Sequence, residues 1–349
     1  MFKIGLTRDF LTPDGKLTYR DIGLDILENA EGVEYEFLKE NRSPVTPDML
    51  MGYNAIISLA PAYNTESFKG VHDLQAICRF GVGYDMVDIK ACSDANVIVT
   101  ITRGAVNYSV AEAIISLMLA LSHRVFEKNK LIRNGNWSQR SNYMGSELRR
   151  RTLGIVGIGG IGGKLVEMLK TFDMNPPIAF DPYADKDKAA VLGVQLVDLN
   201  TLMRNSDFVS INCPLTEETR NLINEDELSL LRKDAFIINT ARGGIINEEA
   251  LIRILTSRSI AGYATDVFAS EPPADDEPLY KLDNVILSPH CIAWTHELFQ
   301  EIGRRACQQV VKIAHGEIPE DVVNRDILDN KVFRDKMNLK MMEKKSNNK

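Results

Sequence analysis

Three short segments in the second half of the chain carry side chains suited to proton transfer at a carbonyl. They are Asn239-Thr240-Ala241-Arg242-Gly243-Gly244, Asp266-Val267-Phe268-Ala269-Ser270-Glu271-Pro272 and Leu287-Ser288-Pro289-His290-Cys291-Ile292-Ala293-Trp294-Thr295. An imidazolium gives a proton readily to an alkoxide forming near neutral pH, and His290 is the residue of that type. A carboxylate beside it orients the ring and favours its protonated form, which suits Glu271. A guanidinium grips a substrate carboxylate in a two-bond fork and polarises the neighbouring carbonyl, which suits Arg242. Taken one at a time, each has a plainer explanation: a surface arginine, a loop opening at Glu-Pro, a histidine satisfied at a strand end. What makes them a set is the motif that precedes them.

That motif is Leu153-Gly154-Ile155-Val156-Gly157-Ile158-Gly159-Gly160-Ile161-Gly162-Gly163-Lys164-Leu165-Val166, an apolar run, then G-x-G-x-x-G, then an amphipathic helical pattern. The glycine pattern alone is a weak signal, but here its flanks are in place. Gly157 would make the tight turn, Gly159 would let the backbone approach a pyrophosphate, and Gly162 would let helix and strand pack closely. The amides opening the helix, at Gly160 and Ile161, add partial positive charge toward the phosphates. Asp181 ends the run Pro177-Ile178-Ala179-Phe180-Asp181. A carboxylate at that spacing accepts from the ribose hydroxyls and repels a 2′-phosphate, so NAD rather than NADP is the expected cofactor.

A sheet has to place these segments. Short β-type runs alternate with helical stretches at residues 3–6, 34–37, 55–59, 76–78 and 97–101, and again at 153–157, 178–181, 208–213, 235–240, 262–265 and 285–287. This alternation predicts an α/β protein of two doubly wound parallel-sheet lobes. Ligands of such sheets bind beyond the carboxyl ends of the strands, and Arg242, Glu271 and His290 each follow a strand. The expected organisation is a Rossmann cofactor domain, residues 103–292, inserted into a flavodoxin-like substrate domain made of residues 1–102 and 293–330. The reason is that the chain turns helical after His290 and then returns through Gly316, Pro319 and Val322-Val323-Asn324. Residues 109–122 are apolar nearly all round and call for burial on several faces.

With 349 residues, 44% hydrophobic and 26% charged, the chain has ordinary globular composition and is too long for one core, so two domains are the default. No apolar run approaches the roughly 18 to 20 residues of a spanning helix, and residues 1–6 read as a strand rather than a signal peptide. A cytoplasmic protein without membrane association is expected. The five cysteines (Cys78, Cys92, Cys213, Cys291, Cys307) are scattered without a C-x-x-C pair or His/Cys cluster, which fits reduced thiols and no metal site. Residues 331–349 hold seven Lys/Arg against Asp335 and Glu343, a charge of +5, so the net −7 leaves −12 on the rest. An acidic body argues against a nucleic-acid partner. The basic segment is expected to be a flexible, solvated tail rather than an anion-binding patch.

Behind the cofactor motif, the order Arg242, Glu271, His290 in these contexts resembles the D-isomer-specific 2-hydroxyacid dehydrogenase family, over about residues 74–324. The resemblance implies an NAD-dependent enzyme moving a hydride between NAD(H) and a small D-2-hydroxy or 2-keto acid, with His290 as proton donor, Glu271 as its partner and Arg242 as carboxylate clamp. The family pattern G-x-G-x-D-x-[IV]-D appears as Gly81-Val82-Gly83-Tyr84-Asp85-Met86-Val87-Asp88 and implies that amides near Val82 and Gly83 hold the substrate carboxylate. It also implies that Cys213 and Pro214 border the nicotinamide ribose and that Thr240, Ala241 and Asp266 line the ring, Asp266 holding the carboxamide. Ala293 joins the cofactor contacts, and the cofactor lobes, entered at residues 107–112, carry a homodimer interface. In two departures, Gly160 stands where many relatives have Arg, which removes a phosphate contact, and Met86 where many have Asn, which touches loop support.

The substrate lobe is less informative. Its loop Ala60-Pro61-Ala62-Tyr63-Asn64-Thr65-Glu66 offers no arginine for a substrate phosphate, and Arg79 is the obvious nearby cation. A small acid such as glyoxylate, hydroxypyruvate or a short 2-keto acid is therefore expected over 3-phosphoglycerate. Two other readings share the same residues: an NAD-sensing interaction protein, as some corepressors of this family are, and a dehydrogenase of another clamped anion such as phosphite. The lack of an extended disordered arm argues against the first.

Overall fold

The structure, a computed structural model, describes residues 1–337. The chain forms two compact units, residues 1–106 with those from Trp294 onward, and Asn107–Ala293.

In the first unit β1 (Phe2–Leu6), β2 (Val33–Phe37), β3 (Ala55–Ser58), β4 (Ala76–Arg79) and β5 (Ile98–Thr100) make one parallel sheet in the order β2-β1-β3-β4-β5. This is flavodoxin-type winding, reversing between β1 and β3. The inner strands are apolar on both faces: Ile56, Ile57, Ile77 and Cys78 are at most 1% exposed, and each such aliphatic side chain stabilises the fold by about 1.5–3 kcal/mol. Helix His296–Ala314 packs on β3 and β4 and buries Leu298, Ile302, Ala306, Val310 and Ile313, which recur every three or four residues along one face. Its N-cap is Thr295, whose hydroxyl accepts from the Leu298 amide at 3.0 Å. The chain then returns to β5, where buried Asn324 accepts from the Val99 amide (2.8 Å) and donates to the Val97 carbonyl (2.9 Å).

Residues 331–337, expected from their basic composition to be part of a flexible tail, are helical, with Phe333 1% and Met337 7% exposed. The two apolar residues, four apart, give this helix one face to bury, which outweighs the charge around them. The remainder of the expected tail, residues 338–349, lies outside the described residues.

In the second unit β6 (Leu153–Val156), β7 (Ile178–Phe180), β8 (Gln195–Leu196), β9 (Phe208–Ile211), β10 (Phe236–Asn239), β11 (Gly262–Thr265) and β12 (Val285–Leu287) form a parallel sheet in the order β12-β11-β10-β9-β6-β7-β8. Strand order runs outward from β6 in one direction and from β9 in the other. The crevice between them is where dinucleotides lie in Rossmann sheets. Helix Asn107–Ser122 packs on helix Gly160–Leu169 and on β10 and β11, burying Ala111, Ile114, Leu117, Met118 and Leu121. The burial on several faces that residues 109–122 call for is thus largely met inside the unit.

The units part at Val106/Asn107 and Ala293/Trp294, against expected junctions at 102/103 and 292/293. Arg305 bonds the Arg103 carbonyl and holds that turn in the first unit. Among the described residues no single helix is long and apolar enough to cross a membrane, and no group of three His, Cys, Asp or Glu side chains is arranged for a metal ion.

Candidate active site

The expected site residues of the second unit stand past the carboxyl ends of its strands: the glycine turn after β6, Asp181 after β7, Cys213 and Pro214 after β9, Thr240, Ala241 and Arg242 after β10, Asp266 and Glu271 after β11, and His290 after β12. Gly157 has φ 92°, and a Cβ on it would lie 2.8 Å from the Cys213 amide nitrogen, so the turn both needs glycine and presses against the loop after β9. At Gly162 a Cβ would lie 2.8 Å from the Gly157 carbonyl, the close helix–strand approach expected of that position. Asp181 Oδ2 accepts from the Ile158 amide (3.0 Å) and Oδ1 from the Tyr183 amide (2.9 Å), which orients the carboxylate beside the turn. Burial pushes the Cys213 thiol up to about 11, so it stays a neutral group rather than a nucleophile.

The Arg242 loop is shaped from below by Asn239, a fully buried side chain that accepts from the Ala241 amide (3.0 Å) and donates to the Arg242 carbonyl (2.9 Å). Arg242 Nη1 donates to the Ala241 carbonyl at 2.7 Å. A Cβ on Gly243 would overlap the Phe268–Ala269 peptide, so the Arg242 and Glu271 loops touch backbone to backbone. Glu248 Oε2 accepts from the Ala269 amide at 3.3 Å. Burial holds its carboxyl above the usual range, against the pull of that amide and with the help of Glu277.

Glu271 Oε1 accepts from the Phe268 amide at 3.1 Å, and Oε2 lies 2.7 Å from His290 Nδ1. Burial pushes the Glu271 carboxyl up. The hydrogen bond and charge of His290, the Phe268 amide and the Arg242 charge outweigh it and leave the carboxyl below its ordinary value. His290 itself has φ 53°, a left-handed conformation uncommon for a residue with a Cβ. Asp266, 5% exposed, holds that backbone in place: its Oδ1 accepts from both the Cys291 (2.9 Å) and Ile292 (3.0 Å) amides. With Nδ1 turned to Glu271, Nε2 is the ring nitrogen left to face a ligand.

Val82 and Gly83 belong to the first unit. Their loop begins at Gly81 (φ 141°) and is braced by Arg79, whose Nη1 donates to the Ser58 (3.1 Å) and Phe80 (2.9 Å) carbonyls and whose Nε meets Met86 Sδ at 3.3 Å. The cation singled out as the nearest substrate handle is therefore committed to strand ends, and Met86 takes part in that support.

Sequence reasoning missed the supporting contacts of Asn239, Gly243 and Glu248 and the anchoring role of Asp266. The doubled glycine after Arg242 is the one local hint among them, because every partner but the immediate neighbours of Asn239 lies on another strand-end loop.

Residues 115–291 match the family model described as D-isomer specific 2-hydroxyacid dehydrogenase, NAD binding domain. The chain is 41% identical over 252 residues to a D-3-phosphoglycerate dehydrogenase of Methanocaldococcus jannaschii, covering 72% of this chain and 48% of that one. It spans about half the length of the phosphoglycerate dehydrogenases it matches. It is 37% identical over 274 residues to a glyoxylate reductase of Thermofilum pendens, covering 77% of this chain and 80% of that one. Its fold matches a crystal structure of D-lactate dehydrogenase from Aquifex aeolicus complexed with NAD and lactic acid, with TM-score 0.79 and 25% identity over 92% of this chain and 99% of that one. A family match through nearly all of the seven-stranded unit, with relatives aligned over most of the chain, makes this protein a member of the D-isomer specific 2-hydroxyacid dehydrogenase family and the second unit its NAD-binding domain.

Proposed function

We propose that the protein is an NAD-dependent oxidoreductase that interconverts a small 2-keto acid and the corresponding D-2-hydroxy acid. The observation that carries this reading is the 2.7 Å contact between Glu271 and His290, formed at the strand ends of an NAD-binding sheet with the Arg242 charge acting on the same carboxylate. When bound, NADH supplies the hydride that adds to the carbonyl carbon. His290, held through Nδ1 by Glu271, gives a proton from Nε2 to the carbonyl oxygen, so one proton is consumed with each keto acid reduced. Arg242 binds the substrate carboxylate and draws electron density from the neighbouring carbonyl. By the family resemblance, the amides of Val82 and Gly83 are assigned to the substrate, which makes the first unit the substrate-binding domain.

For the cofactor, the backbone at Gly157, Gly159, Gly160, Ile161 and Gly162 holds the diphosphate, and Asp181 accepts from the adenosine ribose and favours NAD over NADP. Cys213, Pro214, Thr240, Ala241, Asp266 and Ala293 surround the nicotinamide end. The engagement of Arg79 with Ser58, Phe80 and Met86 supports a substrate without a phosphate, such as glyoxylate, hydroxypyruvate or a short 2-keto acid. A homodimer of cofactor domains in the cytoplasm completes the reading. Its support is the family membership and, for the compartment, the five unpaired cysteines.

The test is initial-rate turnover of a panel of 2-keto acids, including glyoxylate, hydroxypyruvate, pyruvate and 3-phosphohydroxypyruvate, with NADH and NADPH side by side and chiral analysis of the product. NADH binding without turnover of any acid would defeat the enzyme reading in favour of an NAD-sensing protein.

A further inference from the structure

We infer that Asn107 is a further cofactor-binding residue, whose side-chain amide donates to the diphosphate of NAD from a position open to it because residue 160 is glycine. The inference rests on the placement of the diphosphate at the glycine turn proposed above. Asn107 opens the 16-residue helix Asn107–Ser122, and Gly160 opens the 10-residue helix Gly160–Leu169 packed against it. A Cβ built on Gly160 would lie 2.5 Å from Asn107 Nδ2 and 2.8 Å from Oδ1, so any larger residue there drives the amide out of its place.

The Asn107 side-chain amide is partly buried and has no hydrogen-bond partner among the described residues. Its atoms still reach solvent, so its donors can meet an incoming acceptor. The surface beside them is open, because a Cβ on Gly159 would meet nothing within 4 Å. A diphosphate seated over Gly159 brings acceptor oxygens to this edge of the turn. The neutral amide then supplies a donor beside a position, Gly160, that has no side chain of its own to offer.

The test is NADH binding followed by fluorescence, with competition by ADP-ribose, which shares the diphosphate but lacks nicotinamide. Asn107→Ala should weaken both ligands by about tenfold, the range for a hydrogen bond to a charged acceptor. Asn107→Asp should weaken them further while leaving thermal stability equal or higher, since a carboxylate suits a helix amino end but repels a diphosphate. Gly160→Ala should weaken both ligands by displacing the amide, and in the Asn107→Ala background it should add nothing. Affinity within about twofold of wild type in folded Asn107→Ala, or additive effects of the two substitutions, overturns the assignment. Gly159→Ala is the separate control: its methyl meets only ligand, so unchanged NADH affinity there refutes the diphosphate placement itself and the role of Asn107 with it.

Discussion

Replacing Asp181 by Asn tests cofactor choice with little disturbance of the turn, because the amide oxygen still accepts one of the two backbone N–H groups, of Ile158 and Tyr183, that hold the carboxylate. The 2′-phosphate of NADPH carries nearly two negative charges. Asp181 is only partly buried, so the water-like end of the dielectric range applies, and each pair of unit charges at about 4 Å costs about 1 kcal/mol. Two charges make about 2 kcal/mol, or roughly thirtyfold in relative kcat/KM. The wild type should therefore favour NADH, and Asp181→Asn should cut the NADH:NADPH ratio by roughly thirtyfold at low ionic strength. The cut should be smaller at about 0.5 M salt, where screening shortens the reach of the charge. The assay is initial rate against limiting cofactor at saturating keto acid, at both ionic strengths. Equal efficiency with the two cofactors in the wild type, or an unchanged ratio in the variant, would show that Asp181 does not face the 2′ position.

His290→Ala should lower kcat by on the order of 10² to 10⁴ while NADH affinity by fluorescence stays near wild type; loss of both together would point to a structural role. Arg242→Ala should raise KM for the keto acid and also lower kcat, and Arg242→Lys should restore only part, since a point charge lacks the two-bond fork. Glu271, held below its ordinary value and so ionised through the working range, favours the proton on its partner. In Glu271→Gln proton donation by His290 should fail sooner as pH rises, moving the alkaline limb of kcat/KM for reduction to lower pH in a series from about pH 5 to about 9. An unmoved profile with altered melting temperature would leave Glu271 a structural residue. Sedimentation at micromolar concentration should show a dimer, and monomer alone would remove the homodimer from the reading.

Much of the fold is legible along the chain because its signals are local. Residues 153–166 contain strand, turn and helix in one stretch, and the turn needs glycine wherever the rest of the chain lies. Runs such as Ala55–Ser58 and Phe208–Ile211 are buried on both faces, and continuous apolar stretches between turn residues report that directly. Strand β8, with only Gln195 and Leu196, is too short and too polar to leave such a mark. Residues 331–337 mislead for the opposite reason: charge dominates their composition, while the burial of Phe333 and Met337 depends on the rest of the fold.

The residue types of the site and their order are properties of the sequence alone: a histidine, a carboxylate and an arginine, each after a strand, behind a glycine turn and an aspartate. Which of them touch is set by strand order. Placing β10, β11 and β12 side by side brings strand ends about 5 Å apart although the residues they carry are widely separated along the chain. That neighbourhood lays Gly243 on the Phe268–Ala269 peptide, turns Glu271 to His290, and lets Asp266 fix the backbone after His290 in its left-handed turn. The same holds for Asn107 over Gly160 and for Arg79 under the Gly81 loop. Spacing along the chain encodes the local backbone; the contacts between loops come only from packing, where each side chain's partner is chosen by the sheet that carries both.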